Sequence, residues 1–455
     1  MKELIPSALQ TCAPFPHLGA FESTRLIGSE TDILGTTRHI ERWESDLELL
    51  RSAGLTELRY SVPWHRIERE PGIFDFTWID GPMKYMHAHG MDPILDPLHH
   101  VSFPCWMDQG FANPEFPVLY ERFILRLARR YPWANRYTVF NEPLPTTIFC
   151  SLNGLWYPHY ASEDSFVRMA VNNARAICRA SQALRRVNPH VKFVHVETAE
   201  THRALDKRSE EWTDFANCRR FMMHDLILGA VTPAHELYPY LTAHGFTTEQ
   251  MQWFIDNRAS IDVLGLDYYV HSEMEWYWDN ELQRANIRGP VSQPDGFARI
   301  GKVYADRFRL PVLLSETNLR GSYLDRLTWL KFMEEQCEVL ASQVDFRGFC
   351  WYPSIDSTDW CHLCTKATCT VDPQGIWGLD EQRWDRHASE LSEYYIRLAR
   401  GYIRSADIPA YGFSPNTAEG LAGFEGLMAH WPKGASRVDF EKKLHPVWHR
   451  ATRLS

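Results

Sequence analysis

No run of about 18 consecutive apolar residues occurs in the chain, so no membrane-spanning helix is expected. The first residues, Met1 to His17, lack the basic region and apolar core of a secretion signal. An excess of cations is also missing. The 48 Lys and Arg stand against 58 Asp and Glu, a formal net charge of -10, which argues against a nucleic-acid footprint. Neither Gly-x-Gly-x-x-Gly nor Gly-x-x-x-x-Gly-Lys follows an apolar run, so no cofactor of the nucleotide kind is expected. Gly-x-Ser-x-Gly, the usual esterase elbow, is absent too. The ten cysteines are scattered, which fits reduced thiols in a cytoplasmic protein better than a disulfide framework. No repeat, low-complexity block or Pro/Gly-rich linker breaks the stretch from about 17 to 405.

What is present is an ordinary globular balance, 44% hydrophobic and 23% charged, with 17 tryptophans. Short apolar runs alternate with helix-period segments. The runs Leu58–Pro63, Pro93–Leu98, Tyr137–Phe140, Val191–Val196, Val263–Tyr269, Val312–Ser315 and Gly348–Trp351 read as strands buried on both faces. His17–Phe21 supplies the first, making eight. Between them, Trp43, Leu47 and Leu50 repeat at helical spacing before Gly54, and Leu324, Leu327, Leu330, Met333 and Cys337 form a second stripe. Asp164 is the expected cap of a long helix running to Leu184. Eight strands each followed by a helix predict an α/β fold: a single (β/α)8 TIM barrel over residues 1–405, with elaborated βα loops. Residues 406–455 lose periodicity and read as an irregular tail that wraps the barrel or stays apart from it.

In such barrels chemistry gathers at the C-terminal ends of the strands. Strand four ends in Asn141-Glu142-Pro143, and strand seven in Ser315-Glu316-Thr317-Asn318. Two carboxyl groups brought to about 5–5.5 Å suit a retaining glycosidase, one as nucleophile and one as acid/base. The two must differ in protonation, which unequal burial and mutual repulsion provide.

Further motifs sharpen this. Arg59-Tyr60-Ser61-Val62-Pro63-Trp64, Pro97-Leu98-His99-His100-Val101-Ser102-Phe103-Pro104, Gly265-Leu266-Asp267-Tyr268-Tyr269, the loop from Trp351 to Trp360 and Gly375-Ile376-Trp377-Gly378-Leu379 follow in consistent order. Together with the two Glu-bearing strand ends, they resemble glycoside hydrolase family 1, the β-glucosidase/β-galactosidase group within the clan of retaining (β/α)8 glycosidases. The resemblance implies Glu142 as acid/base and Glu316 as nucleophile. It implies Asn141 on the sugar 2-hydroxyl, His100 on the sugar, Arg59 beneath the nucleophile and Tyr269 beside it. Trp351 would floor the pocket.

The departures lie in the shell that reads hydroxyls. Glu22 stands where the family has Gln, and Asp359-Trp360 where it has Glu-Trp, with one extra residue in the loop. Val101 replaces a Trp, and Ser315-Glu316-Thr317-Asn318 replaces Thr-Glu-Asn-Gly. Such changes alter sugar choice rather than reaction type. The expectation is an exo-acting retaining β-glycosidase for a non-standard glycone on a small-molecule or oligosaccharide substrate. Nucleic acid and membrane are not expected as partners, and the homo-oligomer question stays open. A transglycosidase using the same intermediate is the alternative, and a non-catalytic sugar-binding barrel the second.

Other signals carry less. Cys361, Cys364 and Cys369, with His362, have partial zinc spacing but lack a second Cys-x-x-Cys, so no metal is expected beyond that lesser candidate. Glu197 and Glu200 follow strand five and stand as subsite candidates or loop ion pairs. Trp276 and Trp278 stand as aglycone-stacking rings or loop packing.

Overall fold

The computed structural model describes residues 14–281, 283–290, 294–320 and 322–410. In chain order its first eleven strands are β1 His17–Phe21, β2 Glu57–Ser61, β3 Asp92–Asp96, β4 Arg136–Tyr137, β5 Lys192–Thr198, β6 Thr201–Ala204, β7 Val263–Asp267, β8 Glu273–Asp279, β9 Arg284–Pro290, β10 Val312–Thr317 and β11 Phe346–Trp351. Eight of these close into a parallel barrel in the order β1-β11-β10-β7-β5-β4-β3-β2. The expected (β/α)8 barrel is therefore the fold. The remaining three form a separate sheet, β6-β8-β9, standing on the loops that follow β5 and β7. No helix among the described residues is long and apolar enough to cross a membrane.

The barrel interior is packed by Leu18, Ala20, Ile94, Val194, Val196 and Leu313. Gly265 lies where strands crowd most: a Cβ there would meet Val196 Cγ2 at 2.5 Å and Ser315 Oγ at 2.8 Å. Outside, helices bury their apolar stripes against the strands. The first long helix, His39–Ala53, ends as expected at Gly54, whose φ of 88° closes it in the left-handed region. The second stripe forms Tyr323–Ala341, burying Leu327, Leu330, Met333 and Cys337. Leu324, in the first turn of the helix, stays exposed.

Two expectations need correction. The helix Glu163–Val187 is capped by Ser162, whose hydroxyl accepts from Ser165 N, and not by Asp164. Strand four is regular only over Arg136–Tyr137, although its backbone keeps pairing through Thr138 N to Leu95 O and Asn141 N to Leu98 O. Of the expected tail, Ser405–Asp407 forms a short helical turn, and everything from 411 onward lies outside the described residues.

Buried ion pairs tie the loops to the barrel. Burial opposes ionisation of Asp32, yet Arg66 and His65 hold its carboxyl well below the usual range. Asp356 accepts from Gly375 N at 2.7 Å and Leu379 N at 3.1 Å, fixing the return after β11. A Cβ on Gly375 would fall 2.2 Å from Asp356 N and 2.4 Å from Ile355 C. Backbone cannot yield as a flexible side chain does, so Gly375→Ala should lower stability by about 3 kcal/mol in urea unfolding. An unchanged midpoint would show that this loop adjusts freely.

Candidate active site

The barrel's chemistry is organised by one buried guanidinium. Arg59, on β2, donates from Nη1 to Glu316 Oε1 at 2.5 Å, and from Nη2 to Asn141 Oδ1 at 2.7 Å and Asp96 Oδ2 at 3.2 Å. Glu316, on β10, also accepts from Tyr269 Oη at 2.7 Å on its other oxygen. Both carboxylate oxygens thus receive hydrogen bonds, one of them charge-assisted, an arrangement suited to an anion. Arg59, Tyr269 and Glu316, which the family resemblance grouped, are brought together here.

Glu142 follows β4 with a φ of 46°, a left-handed conformation unusual for a residue with a Cβ. Its backbone is held there by Glu142 N to Val196 O at 3.1 Å, and Leu144 N donates to Glu197 Oε1 at 2.9 Å one turn on. Glu197 is therefore a buried backbone acceptor, not a cavity residue. Burial, and then the charge of Glu316, pushes the Glu142 carboxyl well above the usual range. Asp267, at the end of β7, is raised for the same two reasons in the same order. Oxygens of Glu142, Asp267 and Glu316 lie within 4.8 Å of one another. Ser315 Oγ donates to Asp267 Oδ1 at 2.6 Å, while Oδ2 has no donor. Carboxyls this close oppose one another's ionisation, so loss of a proton from Glu142 is linked to the charge on Asp267. Asp267 lies inside a quoted motif, but its role depends on proximity to Glu142, which sequence order does not reveal.

The three acids are the single convergence of three or more His, Cys, Asp or Glu ligand atoms among the described residues. The guanidinium of Arg59 supplies the positive charge beside them. The zinc-like spacing at Cys361, Cys364, Cys369 and His362 yields no such group. Left-handed backbone at Leu363 and Cys364 turns Cys364 inward against Leu26 and Ile33, whereas Cys369 is exposed. Burial pushes the Cys364 thiol well up.

Around the acids opens a cavity of about 240 Å³. Of the expected sugar-binding residues, Glu22, His100, Tyr269 and Trp360 line it. His100 Nδ1 pairs with Thr146 Oγ1 at 2.9 Å, its Nε2 lies 3.7 Å from Glu142 Oε2, and burial holds its ring neutral. Glu22 accepts from Trp360 Nε1 at 2.5 Å and Thr24 Oγ1 at 2.7 Å, with Ser357 Oγ at 3.3 Å. Glu22 and Trp360 thus meet across a long sequence gap, a contact the sequence did not pair.

Trp351 and Asp359 stand elsewhere than expected. Trp351 is fully buried behind the cavity, its Nε1 donating to Gln374 O at 2.8 Å. Successive strand residues face opposite ways, so the next residue, Tyr352, takes the cavity wall, 4.9 Å over the Arg59 guanidinium. Counting from Tyr352 also removes the apparent extra residue in the loop. Asp359 is buried too, its carboxylate accepting from the backbone N–H groups of Thr368, Cys369 and Thr370, so its charge organises a loop. His99 was passed over in the sequence yet lines the cavity. Burial lowers its pKa, but Asp96, 2.7 Å from Nδ1, outweighs this and raises it.

Burial raises the Glu22 carboxyl. Above the unfolded-chain pKa the unfolded state ionises while folded Glu22 keeps its proton, so this group costs stability as pH rises. Glu22→Gln keeps the acceptor for Trp360 and removes that cost. Its thermal stability relative to the parent should therefore increase from pH 4 to pH 8; a flat or falling difference would mean that Glu22 is comfortably ionised.

Comparison with known proteins agrees with the geometry. Residues 36–116, which hold β2, β3, Arg59 and His100, match the family model for glycoside hydrolase family 42, described as β-galactosidase. The β-galactosidase BgaH of Haloferax lucentense is 39% identical over 104 residues, 23% of this chain and only 15% of that protein. A 6-phospho-β-glucosidase of Dickeya chrysanthemi is 20% identical over 353 residues, 69% of this chain and 75% of its own length. The family 1 β-glucosidase of Thermotoga maritima superposes with a TM-score of 0.72 at 17% identity, covering 85% of this chain and 98% of that one. In fold throughout the barrel, and in sequence over its early strands, the chain resembles the (β/α)8 β-glycosidases of clan A.

Proposed function

We propose that the chain is a retaining β-glycosidase acting on a terminal sugar. The observation that carries this is the approach of Glu142 and Glu316 oxygens within 4.8 Å, with Glu316 bonded by Arg59 and Tyr269. That separation leaves no room for the water that an inverting pair, about 6.5–9.5 Å apart, places between carboxylate and sugar. In this reading Glu316 attacks the anomeric carbon while Glu142 protonates the departing oxygen. The glycosyl–Glu316 ester is then opened by water that Glu142, now ionised, deprotonates. Asn141, held by Arg59, is placed to meet the 2-hydroxyl.

The glycone reading rests on Glu22. A buried carboxyl bonded to Trp360 offers a donor and an acceptor only while it keeps its proton, and it repels an anionic sugar once ionised. A neutral but uncommon glycone fits that wall. The nine free cysteines among the described residues suit a reducing, cytoplasmic setting.

Glu316→Ala should reduce hydrolysis of aryl β-glycosides by roughly 10⁴-fold or more, as loss of other covalent nucleophiles does. Azide should restore part of the rate and yield the α-glycosyl azide. Retained turnover, or rescue without inversion, would remove Glu316 from this role. Asp267→Asn takes away a neighbouring carboxyl whose charge opposes ionisation of Glu142, and offers an N–H donor favouring its anion. The alkaline limb of kcat/KM should then move to lower pH, read with a poor leaving group; an unmoved limb would mean Asp267 does not bear on that ionisation.

A further inference from the structure

The closed strand order sets β1 and β5 diametrically opposite. Glu22 and Trp360, from the loops after β1 and β11, form one end of the cavity. The other end is built by the loops after β5 and β7 and differs in chemistry. There the β6-β8-β9 sheet presents one face: Met274 and Trp276 alternate along β8, and Ile287 of β9 pairs with Trp276. Trp212 stacks behind Trp276 at 6.1 Å. Phe149 and Leu152, downstream of Glu142, supply the facing wall.

Into this apolar end reaches Arg219, the last residue of the helix Glu210–Arg219, only 9% exposed. Its guanidinium lies 5.5 Å from the Phe215 ring centroid and 5.8 Å from that of Phe166, and its Nη1 is buried without a hydrogen-bond partner. Glu200, nearby on the wall, directs its oxygens to Thr198 Oγ1 at 3.0 Å and His202 Nε2 at 3.4 Å. Burial opposes ionisation of Glu200, but His202 and, less strongly, the Arg219 charge lower its carboxyl. No hydrogen bond joins Arg219 to Glu200, so the guanidinium keeps an unpaired N–H group for a further carboxylate, whose geometry it matches.

We propose that this end binds the leaving group, and that its preferred occupant is a flat, apolar aglycone carrying a carboxylate, paired with Arg219. The assignment of aglycone end rests on the glycosidase reading; the carboxylate site does not. A contact to the aglycone acts by binding energy, so it appears as selectivity between leaving groups of like shape.

Two measurements separate the claims. On whichever glycone an aryl panel shows to be hydrolysed, 4-carboxyphenyl and 4-(methoxycarbonyl)phenyl β-glycosides are compared. The kcat/KM ratio of acid to ester should fall at least tenfold in Arg219→Met, and Arg219→Lys should keep part of it. A ratio that both variants leave unchanged overturns the proposal. Independently, 4-hydroxycinnamate is titrated into the parent and both variants by calorimetry. Saturable binding that Arg219→Met loses and Arg219→Lys partly keeps is expected even if every glycoside proves inert, which would defeat the glycosidase reading alone. No binding to the parent, or equal binding to all three, overturns the site.

Discussion

A charged group buried at the centre of a closed barrel must find its partners there, and Arg59 finds Ser315, Glu316, Asn141 and Asp96 on three different strands. Its bonds to Glu316, Asn141 and Asp96 join β2 to the ends of strand four, β10 and β3. Leaving any of these unmet would strand an ion in a low-dielectric core. The bonds that hold this cluster of acids therefore also tie the barrel strands together. The hydrophobic packing outside the strands fixes where the eight ends lie, and the guanidinium decides which side chains face one another across them.

The electrostatics divide the acids into two kinds. Glu316 accepts one bond from Arg59 and one from Tyr269, whereas Glu142 has a neutral imidazole, a second carboxyl and burial around it. The same barrel mouth thus supplies hydrogen-bond donors to one carboxyl and raises the pKa of the other. Asp267 deepens the contrast by lying close to both.

How much of this the residues disclosed depends on whether a role follows from strand position or from assembly. Glu142, Glu316 and Tyr269 close buried runs, and a strand end in this fold has one destination, whereas Arg59, midway along β2, was legible only through its motif. Trp351 and Tyr352 are neighbours at such an end, and pleating sends them to opposite sides; an error of one residue exchanged core for cavity. Asp359 failed for a different reason, since its partners are backbone N–H groups ten residues on, invisible to any side-chain pattern. Arg219 and Trp276 come from insertions that meet only in three dimensions. The extra β6-β8-β9 sheet has no trace in the eightfold alternation, because it belongs to the loops that the alternation treats as connections.

The left-handed backbone at Glu142 places a side chain where glycine would rest with less strain, a difference of about 1–3 kcal/mol for such conformations. A population selected only for thermal endurance would drift toward glycine at this position, gaining heat resistance as it lost its acid. The enzyme's working state is thus a compromise held in place by use, and laboratory evolution run without an activity screen should dismantle it at this residue among the first.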